Sequence, residues 1–562
     1  MARKRYFFGF LIICVLFSSV GIIGLHQTFK NQIYSLNLTL SKVSDYNMHS
    51  NRWSKSGNPI CLANENQTNL QIVKSGSGAI VVWQDNRSGN WDIYAQKIDI
   101  NGATQVDNWI LNGNVICNES NNQINPQLIA DGNGGAIIVW EDHRVNVTES
   151  DIYAQRINET GDIEWSLNGI VICNASSYQK NPQIVGNSSG GAIITWCDNR
   201  TGSEDIYAQC IDDKGQVKWL NDGTVICNST GNQNSTRICT DGNGGAIIVW
   251  EDYRNSTTEA DIYAQLINNT GDTDWNNNGT VICNELNPQQ NLEVISDGNG
   301  SCIIVWEDLR YTNSDIFAQK INQIGYTEWD NNGTVICNYI NHQVTPKLCN
   351  DDNKGAIISW LDNRTGNFDI YGQHINSTGG VRWTLNGSII CDHSSNQINH
   401  QIINRSNGAI LVWADNRITS YGYGIYSQFL DISGILKLEK YGRLICDVNN
   451  DQNYPKLCSD SNDGAIIVWE DTRSSIDIYA QRIDRKGRVG SIEVTYEIPY
   501  YVDTRTDPVI IITIMLVFGI PLCATFIYCL LQMRPKEKEE KIQPKEKKER
   551  TKPERKHPRK LD

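Results

Sequence analysis

Aspartate and arginine residues recur together at a fixed spacing in this chain, and they are the first candidates for chemistry. A carboxylate beside a guanidinium could bind an anion or a sugar, and paired carboxylates could supply acid and base for hydrolysis. The pairs belong to a W-x-D-x-R motif with eight copies: Trp83/Asp85/Arg87, Trp140/Asp142/Arg144, Trp196/Asp198/Arg200, Trp250/Asp252/Arg254, Trp306/Asp308/Arg310, Trp360/Asp362/Arg364, Trp413/Asp415/Arg417 and Trp469/Asp471/Arg473. Because a catalytic site needs one set of groups that converge once, eightfold repetition favours a structural role within each repeat.

The elements that position these residues are short strands. The motif tryptophans lie 53 to 57 residues apart, and a sequence of the type D-I-Y-A-Q follows each motif. In the unit 126–173, four short apolar or β-branched runs are separated by turn residues such as the Asp-Gly-Asn-Gly sequence at 131–134. Four strands per unit without helical periodicity predict an all-β fold, an eight-bladed β-propeller.

A second repeated pair, Trp and Cys with seven residues between them, indicates how the ring closes. It begins at Trp53/Cys61, before the first W-x-D-x-R motif, and no copy follows the last motif. The strand near Cys61 is therefore expected to complete the last blade, which removes an open sheet edge. The alternatives are a seven-bladed ring with a spare unit and, third, an open solenoid.

The run from Pro126 through Asp131, Trp140, Asp142 and Arg144 and on into D-I-Y-A-Q resembles the TolB-type, WD40-like propeller repeat. The resemblance covers about 57–483 and implies a propeller of the kind found in secreted and surface proteins of bacteria and archaea. It implies no particular function, because propellers host binding, scaffolding and catalysis. The segment between Trp and Cys is longer than a plain TolB-type blade needs.

The two ends of the chain predict a membrane-tethered ectodomain. Basic residues and an apolar run over 1–24 predict a signal peptide or signal anchor, and 509–532 is apolar and long enough to span a bilayer. The basic tail is then cytoplasmic and the propeller outside, with one membrane pass, or two if the first segment is not cleaved. The predicted organisation is a signal at 1–24, a linker at 25–52, the propeller at 53–483, a stalk at 484–507, a membrane helix at 509–532 and a tail at 533–562.

Charge and glycosylation motifs agree with this topology. The net charge is −14, and the part between the basic ends is more acidic still, which argues against a nucleic-acid partner. Twenty N-x-S/T motifs predict a heavily glycosylated surface. Their asparagines are Asn37, Asn66, Asn86, Asn118, Asn146, Asn158, Asn174, Asn187, Asn199, Asn228, Asn234, Asn255, Asn268, Asn278, Asn299, Asn332, Asn363, Asn376, Asn386 and Asn404.

The repeat alignment predicts one disulfide. The residue after the motif tryptophan and the residue after the D-I-Y-A-Q glutamine are opposite charges in several blades, for example Glu141 and Arg156, which suggests cross-strand neighbours. The third blade has Cys197 and Cys210 at these places, and we expect them to pair. The alternative is two unrelated buried thiols. The eight repeated strand cysteines lie one per blade and are expected to be buried and unpaired.

Blade 7 departs most from the repeat. It has Gly424 where other blades have Asp, Leu438 where they have Trp, and a loop with Tyr421 and Tyr423. N-x-S/T motifs also stop at Asn404. An aromatic surface without sugar favours protein contact, so Tyr421 and Tyr423 are a candidate partner surface. The alternative is sequence drift close to the membrane.

No catalytic, cofactor-binding or metal-binding motif occurs in the sequence, and the Asp-Gly-Asn-Gly turns have too few carboxylates for calcium. The sequence therefore predicts a protein that is not an enzyme and has no cofactor. The predicted function is a cell-surface binding or adhesion module for an extracellular protein or glycan. The alternatives are a structural coat protein of the cell envelope and a surface hydrolase of glycans or peptides.

Overall fold

The structure of the protein is a computed structural model that describes residues 53–256, 259–418 and 422–490. The predictions for 1–24, 25–52, 509–532 and 533–562, and for the stalk beyond residue 490, lie outside the described residues. The described part of the chain contains no helix long and apolar enough to cross a membrane. All described residues belong to one compact unit, Met1–Glu493.

Thirty-two strands form the described part of the fold. The first sixteen are β1 Asn58–Cys61, β2 Gln67–Ser75, β3 Gly78–Asp85, β4 Asp92–Ile98, β5 Asn114–Cys117, β6 Gln123–Ala130, β7 Ala136–Asp142, β8 Asp151–Ile157, β9 Ile170–Cys173, β10 Gln179–Gly186, β11 Ala192–Asp198, β12 Asp205–Ile211, β13 Thr224–Cys227, β14 Gln233–Thr240, β15 Ala246–Asp252 and β16 Asp261–Ile267. The others are β17 Thr280–Cys283, β18 Gln289–Ser296, β19 Cys302–Tyr311, β20 Asn313–Ile321, β21 Thr334–Cys337, β22 Gln343–Asn350, β23 Ala356–Asp362, β24 Asp369–Ile375, β25 Ser388–Cys391, β26 Gln397–Arg405, β27 Gly408–Asp415, β28 Gly424–Asp431, β29 Arg443–Cys446, β30 Gln452–Ser459, β31 Ala465–Asp471 and β32 Asp477–Ile483.

These strands form eight four-stranded antiparallel sheets, one per repeat, so the predicted eight-bladed all-β propeller is confirmed. Blades 1 to 7 take four consecutive strands each, beginning with β2–β5 and ending with β26–β29. Blade 8 has the order β1-β32-β31-β30. The N-terminal strand β1, which contains Cys61, thus supplies the outer strand of the last blade, as predicted, and the ring has no open edge there.

The sequence of each strand matches its layer in the blade. The second and third strands, such as β7 and β8, are almost completely buried because neighbouring blades cover both faces, and their sequences are β-branched and apolar. Adjacent tryptophan and tyrosine rings stack in these strands, with centroids 6.4 Å apart for Trp140 and Tyr153. The short outer strands expose one face.

The innermost strand of each blade carries a bulge near its start. In β6, Gln123 and Ile124 pair with Asp142 and Glu141, and the register then shifts so that Gln127 lies opposite Val139. The residue at the shift, Asn125, has a left-handed backbone with φ of 53°. Equivalent residues have positive φ in the other seven blades, and four of those seven are asparagine, a residue that tolerates this conformation.

The turn after β32 belongs to the last blade. Asp484 accepts hydrogen bonds from the backbone of Lys486 and Arg488, at 2.9 Å each, and Val489 bridges back to Ile483. The backbone nitrogen of Gly490 donates to Arg482 O at 2.8 Å. The first seven residues of the segment predicted as a stalk, 484–490, therefore form an ordered turn on the propeller.

Candidate functional site in the central channel

The W-x-D-x-R residues form a closed contact inside each blade. In blade 2, Trp140 Nε1 donates to Asp142 Oδ2 at 2.7 Å, and Arg144 Nε donates to Asp142 Oδ1 at 2.9 Å. The Arg144 guanidinium lies 3.8 Å from the Tyr153 ring centroid and also donates to Asn168 O at 2.8 Å. The aspartate of the motif is paired with its tryptophan and arginine in all eight blades, so the motif stabilises the blade.

The same arginine ties each blade to the one before it. Arg144 Nη2 donates to Cys117 Sγ, the outer-strand cysteine of blade 1, at 3.2 Å, and the seven other blades repeat this contact. Burial raises the pKa of the Cys117 thiol to about 12, so it stays protonated. The repeated cysteines are thus buried and unpaired, as predicted, and serve as sulfur acceptors at the blade boundaries.

The predicted Cys197–Cys210 disulfide is wrong. The antiparallel register places Cys197 opposite Ile206 and Cys210 opposite Ile193, so the two thiols lie at different heights of the sheet and cannot meet. The charge pairing behind this prediction is wrong for the same reason. Glu141 accepts from the backbone nitrogen of Asn181 in the next blade at 2.7 Å, and Arg156 pairs with Asp131.

The candidate partner surface of blade 7 lies only partly within the described residues. Tyr421 lies outside them. Tyr423 is half-buried against the apolar contact between blades 7 and 8, and its backbone bonds to Asp451 and Gln452. The Tyr423 side chain therefore packs within the protein, and the partner surface stays a prediction.

The asparagines of the N-x-S/T motifs lie at the surface or are half-buried wherever the structure describes them, and Asn37 lies outside the described residues. The side chain of Asn187 is held by contacts inside the protein. Its side-chain nitrogen donates to Ile211 O at 3.1 Å and to Cys210 Sγ at 3.4 Å, so a sugar on this nitrogen would break two internal contacts. Glycosylation of all twenty asparagines stays a prediction.

The position that breaks the eightfold symmetry is the fifth residue of each innermost strand. All eight of these residues line one cavity of about 350 Å³ in the central channel. From blade 1 to blade 8 they are Gln71, Gln127, Gln183, Arg237, Glu293, Lys347, Gln401 and Lys456. Blades 1 to 3 thus contribute only glutamine to the channel. All four charged side chains of the set come from blades 4, 5, 6 and 8. We call this set the channel ring.

A second cavity of about 460 Å³ adjoins the charged part of the channel ring. It shares Arg237, Glu293, Lys347, Gln401 and Lys456 with the first cavity. Its other lining residues come from the starts of the innermost strands of blades 5 to 8 and from Leu361 and Phe368, near the end of β23. The cavity therefore opens toward the face of the ring on which the W-x-D-x-R loops lie. We call it the channel mouth.

Glu293 is fixed between two cations from neighbouring blades. Its Oε2 accepts from Arg237 Nε at 3.3 Å, and its Oε1 accepts from Lys347 Nζ. Burial opposes ionisation of Glu293, but Lys347 and Arg237 outweigh it and lower its pKa to about 2. Glu293 is therefore a permanent anion that orients Arg237 and Lys347.

Lys456 is the cation of the channel mouth whose pKa is lowered. Burial, together with the nearby charge of Lys347, lowers its pKa to about 8. Its ammonium forms no hydrogen bond or ion pair with any residue that the structure describes. An amine with this pKa is partly unprotonated near neutral pH and can accept a proton, which an ordinary lysine cannot do.

His400 adds an uncharged acceptor beside these cations. Other blades have Pro, Leu or Thr at this place, and the His400 side chain is 2% exposed. Burial, and then Lys347, lower its pKa to about 3, while a bond to the Ser359 backbone supports the ring. Its Nε2 has no hydrogen-bond partner among the described residues. The neutral His400 ring therefore adds no charge beside the cations, and its Nε2 is shielded from solvent.

The rim of the channel mouth is apolar and aromatic. Tyr454 is 54% exposed, and Leu361, Phe368 and Ile398 line the same cavity. Aromatic rings beside charged groups suit a ligand that has both apolar faces and acidic substituents, such as a sugar acid. Within the described residues, no cluster of three or more His, Cys, Asp or Glu side chains is placed to hold a metal.

No protein-family model and no curated protein matches the sequence. Solved structures similar to the fold include an ulvan lyase, with 10% identity, a TM-score of 0.42, and coverage of 68% of this chain and 96% of the lyase. An α-L-arabinofuranosidase from Fusarium graminearum has 14% identity and a TM-score of 0.30, with coverage of 57% and 97%. An α-L-arabinanase from Penicillium chrysogenum has 14% identity and a TM-score of 0.31, with coverage of 54% and 93%.

The pairing of the strands itself shows the eight-bladed propeller, and the finer assignment to the TolB-type repeat is not shown. The prediction that the chain is not an enzyme is contradicted: the similar structures include polysaccharide lyases, an arabinofuranosidase and an arabinanase. At these identities and TM-scores the likeness assigns no activity to this chain, so a reaction must be argued from the channel residues.

Proposed function

We propose that this chain is a surface enzyme that binds acidic glycans in the channel mouth and cleaves them by β-elimination. The observation that carries the proposal is the broken symmetry of the channel ring. Three equivalent positions hold glutamine in blades 1 to 3, while blades 4, 6 and 8 place Arg237, Lys347 and Lys456 around one cavity. A binding site needs groups that converge once, and this is where the ring provides them.

The charge of the channel mouth favours an acidic ligand. Three cations and the single carboxylate of Glu293 line it, in a chain whose net charge is −14. Arg237 uses Nε for Glu293 and Nη1 for Thr236 O, at 3.0 Å, and its Nη2 has no partner among the described residues. A carboxylate or sulfate on a sugar would complete the coordination of Arg237.

The available groups favour elimination over hydrolysis. Glycoside hydrolysis ordinarily uses two carboxyl groups that face each other, and Glu293 is the one carboxylate lining the channel mouth in the described residues. Its low pKa also makes it a poor acid. Elimination from a uronic acid instead needs a base and a cation that stabilises the charge developing on the sugar carboxylate.

The residues fit these roles in a balanced step. Unprotonated Lys456 removes the proton from the ring carbon next to the sugar carboxylate, and Arg237 with Lys347 stabilises the resulting negative charge. The electron pair then forms a carbon–carbon double bond as the glycosidic carbon–oxygen bond breaks, and the leaving oxygen takes a proton from solvent. Tyr454 packs against a sugar face.

An extracellular glycan substrate agrees with the topology that we propose for the chain. The apolar segments 1–24 and 509–532 would hold the protein in the cell membrane with the propeller outside and the basic tail in the cytoplasm. No nucleic-acid partner is proposed. A channel in an exported, glycosylated propeller would meet polysaccharides of the cell surface or its surroundings.

The test uses the full chain with polysaccharides that contain uronic acids and with matched neutral polysaccharides. Ultraviolet absorbance follows the new conjugated double bond, and a reducing-end assay counts cleaved bonds. We expect both signals to rise together with acidic substrates, to vanish in Lys456→Gln and to persist in Gln127→Ala, a change on the glutamine side of the ring. New reducing ends without a rise in absorbance would overturn the elimination mechanism. Binding of acidic polysaccharides without any cleavage would overturn the proposal that the chain is an enzyme.

A further inference from the structure

Each blade boundary is packed by one repeated contact. A residue near the end of an innermost strand lies in the same apolar cluster as the first buried residue of the second strand in the next blade. The pairs are Val73/Ala136, Ile129/Ala192, Val185/Ala246, Cys239/Cys302, Ile295/Ala356, Cys349/Ala409, Ile403/Ala465 and Cys458/Ala79. Seven boundaries thus set alanine against a larger side chain, and the boundary between blades 4 and 5 has cysteine on both sides.

The two cysteines at this boundary lie in one buried apolar cluster, and both are free thiols in this structure. Cys302 is fully buried and Cys239 is 6% exposed. Burial, and then the neighbouring Cys239 side chain, raises the pKa of the Cys302 thiol well above its ordinary value. Cys349 and Cys458 occupy the place of Cys239 in blades 6 and 8, but they face Ala409 and Ala79 and have no thiol to join.

We propose that Cys239 and Cys302 form a disulfide that ties blade 4 to blade 5 when the protein folds in an oxidising compartment. The two thiols lose two electrons and two protons to a disulfide-carrying oxidant, which is reduced to two thiols, and a sulfur–sulfur bond forms between the blades. Since burial disfavours the thiolate, the exchange takes place before the boundary closes, and the finished bond is shielded from reductants.

This bond would serve the channel ring as well as the fold. Cys239 lies two residues after Arg237 on β14, and Cys302 begins the strand that follows the strand of Glu293. The pair Arg237–Glu293 crosses the same boundary between blades 4 and 5. A covalent link there would hold these two strands at one spacing and keep Arg237 oriented in the channel mouth.

The test is peptide mass spectrometry on the full chain, purified from an exporting host, denatured and alkylated without reductant. We expect a cross-linked peptide pair that contains Cys239 and Cys302, while the other buried cysteines are alkylated. Recovery of Cys239 and Cys302 as alkylated peptides would overturn the proposal, as would a cross-link that joins either one to another cysteine.

Stability measurements supply a second test with matched variants. Cys302→Ala restores the residue of the seven other boundaries and should fold, but its melting temperature should be several degrees below that of the wild type. Reductant present during unfolding should lower the wild-type value toward that of the variant and leave the variant unchanged. Cys349→Ala, which faces alanine, should keep the wild-type response to reductant. A wild-type protein that reductant does not affect would contradict the disulfide.

Discussion

The two sides of the central channel share one backbone and differ in side chains. Blades 1 to 3 place Gln71, Gln127 and Gln183 at the same strand position where blades 4 to 6 place a cation, an anion and a cation. The W-x-D-x-R contacts around them are nearly identical in all blades. The comparison teaches that repetition marks the residues that build the ring, whereas departure from repetition marks the residues that we propose act on a ligand.

The largest loss of stability should come from breaking the repeated W-x-D-x-R contact. The loss should be the same in a blade on the glutamine side of the channel and in a blade on the charged side. Asp142→Ala in blade 2 and Asp308→Ala in blade 5 each remove a fully buried carboxylate from its arginine and tryptophan. Each change should lower the free energy of unfolding by about 3–5 kcal/mol, because the arginine is left without its partner. Denaturant titration measures this loss, and clearly unequal losses would show that the motif has a blade-specific role.

Substitution in the channel ring should instead affect one side alone. Lys456→Gln installs the residue of blades 1 to 3 and should reduce turnover of acidic glycans at least about 100-fold, because it removes the base. It should also raise the free energy of unfolding by about 1–2 kcal/mol, since a buried charge with a lowered pKa is gone. Gln127→Ala is the control and should change turnover by less than about twofold. Equal losses in the two variants would contradict the assignment.

The pH dependence of turnover should report the same lysine. Because the pKa of Lys456 is about 8 and the unprotonated form is active, the rate should rise about tenfold between pH 7 and pH 9 and then level off. The Glu293 carboxylate, with a pKa of about 2, stays ionised over this range and should add no step. A rate that falls as the pH rises through 8 would indicate that the protonated ammonium is the active form.

A smaller comparison concerns the aspartate that opens the third strand. Burial, and then Asp308, raise the pKa of Asp315 in blade 5 to about 7, whereas Ser88 and Asn90 donate hydrogen bonds to its counterpart Asp92 in blade 1. With its folded pKa raised, Asp315 stabilises the fold at acidic pH, and this contribution is lost as the pH rises through about 7.

Asp315→Asn should therefore raise the free energy of unfolding at pH 8 by about 1 kcal/mol and change it little at pH 4. Asp92→Asn should give no gain at pH 8, because it weakens the hydrogen bonds from Ser88 and Asn90. Thermal unfolding of both variants at the two pH values checks this difference. A gain of equal size in both variants would contradict the explanation.

The repeats, and the Trp–Cys element that precedes the first of them, were sufficient to predict the number of blades and the four strands of each blade. They also predicted that β1 completes the last blade. These features depend on periodic apolar runs and turn residues, which are visible in a single chain. The register between the second and third strands was predicted wrongly, because positions late in two antiparallel strands lie at opposite ends of the sheet. Glu141 and Arg156 are separated for that reason, and so are Cys197 and Cys210.

The candidate site was missed for a different reason. The aligned innermost strands begin with an invariant glutamine, and four residues later the type changes from Gln127 in blade 2 to Glu293 in blade 5 and Lys456 in blade 8. That signal was present in the alignment. The bulge at Asn125 and its equivalents determines which residue of each innermost strand faces the channel. Without knowledge of that bulge, the sequence does not show that these residues lie together. The low pKa values of His400 and Lys456 depend on burial, which the sequence does not encode locally.

The most direct test of the central claim is a structure of the full chain with a uronic-acid oligosaccharide. The Lys456→Gln variant lacks the base, so the ligand should bind without being cleaved. The account predicts the sugar in the channel mouth, with its carboxylate against Arg237, the adjacent ring carbon facing residue 456, and a sugar face on Tyr454. An oligosaccharide bound only on the outer edges of the blades, with the channel mouth empty, would contradict it.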